Sequence, residues 1–111
     1  MASSARVVLC THPRRGARAF ARGLVQRRLA ACVNLVPIES VYRWRGALEE
    51  AREVLLVAKT TVACVPELER VLRHEHPYDV PECVVLEPAR IEPRYLAWLR
   101  AESRPRARSK R

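Results

Sequence analysis

Apolar residues follow two different patterns at the start of the chain. The run Val7–Cys10 is short and continuous, which is typical of a β-strand. Thr11 and Pro13 come next and offer a hydroxyl cap and an early proline, which are common features of a helix start. Beyond them, apolar residues recur at intervals of three and four, which predicts one face of an amphipathic helix. These residues are Ala17, Phe20, Ala21, Leu24, Val25 and Leu29.

The middle of the chain predicts a long β-hairpin. Ala31–Val36 is apolar and strand-like, and Pro37 after it predicts a bend or a bulge. Ser40–Trp44 alternates in polarity, Gly46 offers a turn position, and Val54–Ala58 has the continuous apolar character of a central strand buried on both faces. The polar residues expected at the tip of this hairpin are Glu49, Glu50 and Arg52.

The last part of the chain predicts two helices and one strand. Pro66 suits the first turn of a helix that ends at His76-Pro77, because the residue before a proline resists the helical conformation. Cys83–Leu86 predicts a fourth strand, and Pro93 opens a short last helix. The order β-α-β-β-α-β with an added C-terminal helix predicts an α/β (α+β) protein of the ferredoxin-like plait type.

The positive charge is concentrated at the end of the chain. The 111 residues predict a single domain, 1–103, followed by a basic tail, 104–111, which we expect to be disordered because its like charges repel. Five of the 21 Lys and Arg residues lie in the tail, and without them the formal net charge falls from +9 to +4. Because no aromatic residue is interleaved with these charges to stack on bases, we expect no specific nucleic-acid partner.

The sequence has the marks of neither a membrane protein nor an enzyme. No apolar run approaches the roughly 20 residues of a membrane-spanning helix, and the start of the chain lacks the apolar segment of a secretory signal. We therefore expect a cytoplasmic protein without a membrane partner. With three glycines and none of the common nucleotide-binding or hydrolase motifs, the sequence predicts no cofactor-binding site and no catalytic residues.

The four cysteines are not spaced as in a zinc or redox motif. Each lies in or beside an apolar segment, and we expect Cys32, Cys64 and Cys83 to be small buried residues that stay reduced. Cys10 has two interpretations, a further core residue or a functional thiol at the end of the first strand. A third alternative is a nucleophile–base pair with His76, which would make Cys10 unusually reactive towards iodoacetamide.

Six short motifs, taken in their order and spacing, resemble one known family. They are VVLCT (Val7–Thr11), LAACVN (Leu29–Asn34), YRWRG (Tyr42–Gly46), KTT (Lys59–Thr61), HPYDVPE (His76–Glu82) and YLAWL (Tyr95–Leu99). The pattern is similar to that of the CutA (divalent-cation tolerance) family and extends over residues 7–102. LAACVN and HPYDVPE together form its most specific part.

The resemblance implies a ferredoxin-like fold and a homotrimer in which long hairpins pair between subunits. A hairpin that carried Tyr42 and Trp44 beyond the helices would expose strand edges and aromatic surface. Pairing around a threefold axis would cover both, which gives the trimer a physical reason. The alternative is that these two aromatic side chains lie in the core of a single chain.

The resemblance also implies a role in tolerance of metal ions, with copper as the bound ion. The family pattern has a cysteine at the end of the first strand and two histidines before Pro-Tyr. Cys10 and His76 match this pattern and Glu75 replaces the first histidine, which implies the metal-ligand set Cys10, Glu75 and His76. Thiolate and imidazole suit copper or zinc, and the carboxylate shifts the preference towards zinc or Cu(II). His74 is an alternative ligand.

Other functions of the same residues stay open. His76 could instead cap the last carbonyl groups of its helix. The stiff segment His76–Glu82 could form one wall of a cleft between subunits, as in a PII-like trimeric sensor of small ligands, which is an analogy of fold alone. It could also be a rigid connection to the fourth strand. A third hypothesis is a scaffold that acts through the basic tail, whose binding would depend strongly on salt.

Overall fold

The computed structural model of the protein describes residues 4–105. Its elements in chain order are β1 (Ala5–Pro13), α1 (Ala17–Gln26), β2 (Cys32–Trp44), β3 (Ala47–Thr61), a 3-10 turn (Val62–Cys64), α2 (Val65–Glu75), β4 (Val84–Leu86) and α3 (Pro93–Glu102). This is the order of strands and helices that the sequence predicts. The domain boundary after residue 103 stays a prediction, and residues 106–111 of the basic tail lie outside the described residues.

The four strands form one antiparallel sheet in the order β2-β3-β1-β4. The long strand β3 lies between β1 and β2 and pairs with both. The short strand β4 pairs with Val7–Leu9 of β1. The edges of the sheet are therefore β2 and β4.

Helices α1 and α2 cover one face of this sheet. Alternation along β1 places Val8 and Cys10 on the covered face, opposite Ala58 and Leu56 of β3. Removal of these apolar side chains from water is the main source of stability in a domain of this size. The buried residues that pack together between the sheet and the helices are Val8, Leu24, Leu29, Ala30, Ala58, Leu68 and Val71, with a second group of Cys10, Ala21, Leu56 and Leu72.

The opposite face of the sheet is left open by α1 and α2. Val7, Leu55 and Val57 on that face are partly exposed, whereas Leu56 on the covered face is 1% exposed. The expectation that Val54–Ala58 is buried on both faces is therefore not met within one chain. The open face is largely apolar, and this property bears on assembly below.

The tip of the β2–β3 hairpin is formed by Arg45 and Gly46. Both have positive φ, 49° and 82°, as a two-residue type I′ turn requires at its central positions. The tip expected at 49–52 is wrong, because these residues lie along β3. The expected bulge at Pro37 is also wrong, because the register continues through Pro37 opposite Val54. On an edge strand the missing N–H of proline is tolerated where it faces the open side.

Strand β1 is longer at its end than the sequence predicts. Thr11 and Pro13 continue the strand, so the helix start expected at these two residues is wrong. Helix α1 begins at Ala17 after Gly16, whose φ of 86° would strain any other residue. Pro13 is tolerated in β1 because β4 pairs only with Val7–Leu9, which leaves one side of β1 without a paired strand at Pro13.

The later helices begin and end close to their predicted bounds. Pro66 lies in the first turn of α2, and His76 leaves the helical conformation with ψ 142°, as expected before Pro77. At the start of α3 the side chain of Glu92 accepts a hydrogen bond of 2.9 Å from the backbone N–H of Tyr95. Among the described residues, none of the helices has the length and apolar character needed to cross a membrane.

Candidate metal and ligand site

The predicted site residues lie where the end of β1 meets the C-terminus of α2. His76 directly follows α2, and its Nε2 atom is 2.7 Å from the backbone oxygen of Thr11. The centroid of its ring lies 4.9 Å from that of His12, 5.6 Å from that of Phe20 and 4.9 Å from that of Tyr78. These four side chains form a ring cluster that joins β1, α1 and the segment after α2.

Both ring nitrogens of His76 are engaged in hydrogen bonds. The backbone N–H of Tyr78 donates to Nδ1 at 3.0 Å, so the proton of the neutral ring is on Nε2, which donates to the carbonyl oxygen of Thr11. Burial lowers the pKa of His76, the bond to Thr11 opposes this shift, and nearby His12 adds to it. Helix capping would require a hydrogen bond from His76 to a carbonyl group of α2. The bond from Nε2 goes instead to Thr11 of β1. A metal ion could bind either nitrogen after one of these hydrogen bonds had broken.

Cys10 is a buried thiol, 5% exposed, in the core beneath the helices. Its sulfur donates to the carbonyl oxygen of Thr11 at 3.4 Å. Burial raises the pKa of Cys10 to about 12, and the nearby thiol of Cys83 adds to this effect. The thiol is therefore protonated near neutral pH and is a weak nucleophile. Within residues 4–105 no hydrogen bond joins its sulfur to the His76 ring, as a nucleophile–base pair would require.

The carboxylate of Glu75 is held by an arginine that directly follows α1. Arg27 lies just after that helix and donates from both terminal nitrogens, each at 3.0 Å, to the two oxygens of Glu75. These bonds lower the pKa of Glu75 below its usual value. Glu75 and the neighbouring His74 are both exposed. Glu75 is thus ionised but already paired with a cation.

The structure brings His76 next to the end of β1 but does not gather Cys10, Glu75 and His76 into a ready ligand set. In the part of the chain that the structure describes, no group of three or more His, Cys, Asp or Glu side chains is placed to hold a metal ion. In this arrangement the thiol is protonated, both imidazole nitrogens are bonded and the carboxylate is paired. The three residues do not fit a metal ion as they stand, and their assignment as ligands stays a prediction.

A cavity of about 690 Å³ opens beside the ring cluster, between β2 and the segment after α2. Its walls carry three aromatic side chains, Tyr42, Trp44 and Tyr78, and three carboxylates, Glu53, Asp79 and Glu82. Glu53 is only 6% exposed, and the hydroxyl of Tyr78 donates a hydrogen bond of 2.8 Å to its Oε1 atom. Burial and this bond raise the pKa of Tyr78. The acidic and aromatic lining favours a neutral or cationic occupant over an anion.

The hairpin tip reaches the outer end of the same cavity. The guanidinium carbon of Arg45 lies 5.2 Å from the centre of the Trp44 ring, and one of its nitrogens is 3.5 Å from Oδ2 of Asp79. Both members of this ion pair are largely exposed, so the pair adds little to stability. It does bring the tip of the hairpin close to the segment that follows α2.

Two buried polar residues of this region are absent from the sequence prediction. His12 is 4% exposed and donates from Nδ1 to the carbonyl oxygen of Pro13 at 2.8 Å. Glu53 receives the Tyr78 hydroxyl. The signal for His12 is the period-two alternation of β1, which places Val8, Cys10 and His12 on one face. Nothing in the local sequence indicates that the carboxylate of Glu53 would be buried.

Comparison with known proteins agrees with this fold. The family description "CutA1 divalent ion tolerance protein" matches residues 6–102. The divalent-cation tolerance protein CutA of Thermus thermophilus is 49% identical over 96 residues, which cover 85% of this chain and 93% of that protein. Protein CutA of Mus musculus is 44% identical over 97 residues, 86% of this chain and 54% of that protein, so the chain spans about half the length of the mouse relative.

A solved structure is similar over nearly the same length. The PII-like protein CutA from Nostoc sp. PCC 7120, in its apo form, has a TM-score of 0.86 and 31% identity, and the similarity covers 89% of this chain and 97% of that one. The protein is therefore an α+β protein with a four-stranded antiparallel sheet of the kind found in CutA and PII-like structures. The chain belongs to the CutA1 family of divalent ion tolerance proteins.

Proposed function

We propose that the protein is a homotrimeric, cytoplasmic metal-ion-binding protein that contributes to tolerance of divalent cations, with copper as the expected ion and zinc as the next. The observation that carries the proposal is the family match over residues 6–102. On this proposal the chain is a ferredoxin-like plait with no enzymatic activity. Metal ions and two further copies of the chain are its partners.

The open face of the sheet supports the trimer. Val36, Val84 and Leu86 lie on this face, opposite α1 and α2, and each is more than 40% exposed. On the hairpin arm, Val41 and Leu48 are each 66% exposed. Apolar side chains exposed to this extent on a single chain are typical of a protein interface. Further copies placed around a symmetry axis would cover the face and the arm together.

The donor atoms near the end of β1 support metal binding. The thiol of Cys10 and the imidazole of His12 lie two residues apart on β1. The imidazole of His76 packs against that of His12. Sulfur and imidazole ligands suit copper and zinc. The predicted ligand set Cys10, Glu75 and His76 would require Glu75 to leave Arg27 and His76 to release a hydrogen bond.

The proposal is tested by measuring assembly and metal content together. The full chain is purified without chelator, dialysed against copper or zinc, and examined by sedimentation equilibrium and elemental analysis. We expect a particle of three times the chain mass of 12.7 kDa that retains metal after exhaustive dialysis. Retention should fall in Cys10→Ser and persist in the matched control Cys32→Ser. A stable monomer that retains no metal would remove the proposal.

A second candidate, a sensor of small ligands, is favoured by the cavity of about 690 Å³. Its three carboxylates would repel the phosphate groups of a nucleotide and favour a cationic or neutral ligand. The test is a thermal-shift comparison of metal-free protein with ATP and with a polyamine, in the wild type and in Glu82→Gln. Stabilisation by the polyamine that weakens in the variant would support this candidate. The absence of any shift would count against it.

A further inference from the structure

Extending the β1–β4 register by one residue would place Cys83 beside Cys10. Strand β4 pairs with β1 in an antiparallel register. The pairs are Val7↔Leu86, Val8↔Val85 and Leu9↔Val84. The paired positions end there; continued by one residue, the register would set Cys10 opposite Cys83, the residue directly before β4. Opposed residues of antiparallel strands have Cα atoms about 4.5–5.5 Å apart and point their side chains to the same face.

The packing of the two side chains agrees with this placement. Cys83 is partly buried and packs against the core cluster that contains Cys10 and Leu56. Each of the two cysteines is a free thiol. Two thiols thus share one side of the core next to the end of β1.

The chemistry of this pair suits a soft ion of low coordination number. Thiolate sulfur selects Cu(I) over harder ions. Cu(I) accepts two thiolates in a linear arrangement, whereas zinc is almost always bound by four ligands. In residues 4–105 no larger group of donor side chains is gathered around a metal position. A pair of sulfurs is therefore better matched to Cu(I) than to a divalent ion.

We propose that Cys10 and Cys83 bind one Cu(I) ion as a two-coordinate thiolate site. The inference rests on the proposed metal-binding function and names the ligands and the oxidation state of its copper. Each thiol releases its proton to solvent and each sulfur donates an electron pair to Cu⁺, so the complex carries one negative charge and no electron is transferred. The pair needs neither Glu75 nor His76, whose polar atoms are engaged elsewhere.

The surroundings of Cys83 provide access from solvent and only partial compensation of an anionic charge. Cys83 is the more exposed of the two thiols, so the ion can reach it first and then bind the deeper Cys10. Burial raises the pKa of Cys83, and the charge of Arg73 partly offsets this by stabilising an anion there. The carboxylates of Glu69 and Glu82 also act on Cys83 and oppose the anion, so the site depends on the strength of the Cu–S bonds.

The test is an anaerobic competition for Cu(I) against bicinchoninate, with the full reduced chain as wild type, Cys10→Ser, Cys83→Ser and the matched control Cys32→Ser. We expect one Cu(I) per chain in the wild type and in the control. Loss of a hydrogen-bond partner behind a metal ligand costs about 10–100-fold in affinity, so loss of either proposed ligand itself should weaken binding by about 100-fold or more. X-ray absorption of the copper-loaded wild type, which needs no variant to fold, should show two sulfur neighbours and no nitrogen.

The outcomes separate this inference from the proposed function. If Cys83→Ser binds Cu(I) as tightly as the wild type while Cys10→Ser does not, the cysteine pair is wrong and metal binding through Cys10 stands. If absorption shows nitrogen or oxygen ligands, the pair is also wrong. If the wild type retains neither Cu(I) nor a divalent ion, both the inference and the proposed function fail.

Discussion

The hydrogen bonds of His76 predict that this residue is important for stability without any metal. His76 is 8% exposed and links two segments that are distant in sequence, because it donates to Thr11 and accepts from Tyr78. We consider the substitution His76→Phe, which keeps a planar ring of similar size but removes both bonds. The carbonyl of Thr11 and the N–H of Tyr78 would then lose their partners in a partly buried region.

The size of the effect follows from these two bonds. A typical hydrogen bond contributes about 0.5–1.5 kcal/mol net, and a buried group left without its partner costs about 1–3 kcal/mol. For two bonds at a partly buried position we expect the free energy of unfolding to fall by about 2–4 kcal/mol. Domains of this kind are stable by about 5–15 kcal/mol, so such a loss is readily measured.

The assay is urea unfolding of metal-free protein at pH 7.5 and a fixed protomer concentration, because the stability of an oligomer depends on that concentration. The matched control is His74→Phe, at an exposed histidine two residues away, which should change the free energy by less than about 0.5 kcal/mol. His76→Gln, whose amide can still donate to Thr11, should fall between the two. If His76→Phe unfolds like His74→Phe, the structural role assigned to this imidazole is wrong.

Three further predictions concern pH and the neighbouring contacts. Because burial lowers the pKa of His76 below its unfolded value of about 6.5, the unfolded state binds more protons in that range. The contribution of His76 to stability should therefore be fully present above about pH 6.5 and decline as the pH falls below it. Between pH 8 and 5.5 the urea midpoint should decline less in His76→Gln than in the wild type. Equal declines in the two proteins would contradict this. Tyr78→Phe should cost about 1.5–3 kcal/mol in urea unfolding, because it removes a bond to the buried carboxylate of Glu53. A double-mutant cycle with Glu53→Gln should show coupling, and additive effects would refute the bond. Arg27→Ala should leave the urea midpoint unchanged at both low and high salt, because the ion pair of Arg27 with Glu75 is exposed. A loss of unfolding free energy as large as that of His76→Phe would show that this pair is important for stability.

The order of elements could be predicted from the sequence because each has a local signal. The three- and four-residue spacing around Leu24 predicts α1, and Pro66 and Pro93 mark the starts of α2 and α3. The ends of the strands had weaker signals. The turn position predicted at Gly46 is confirmed, but Arg45 adopts the positive φ of a turn although it is not glycine, and the polar tip was expected several residues too late.

The site was harder to predict because its contacts join residues that are far apart in the chain. His76 bonds to Thr11 across 65 residues, and Glu75 pairs with Arg27 across 48. No local pattern indicates which partner such a side chain will find after folding. The resemblance of motifs singled out His76 as a candidate ligand, but it could not show that both of its nitrogens would be occupied by hydrogen bonds.

Pro37 has a consequence for how strands of other molecules can join the open edge of β2. A proline on an edge strand leaves a gap in the outward row of N–H donors, so an added strand would lose one bond of its ladder at this position. Long, uninterrupted cross-β growth along this edge is thereby disfavoured. The edge is divided into a short stretch beside the helices, residues 32–36, and a longer stretch on the protruding arm, residues 38–44. The arm is thus the part of β2 where a partner strand can pair continuously, in a length limited by the proline at one end and the Arg45–Gly46 turn at the other.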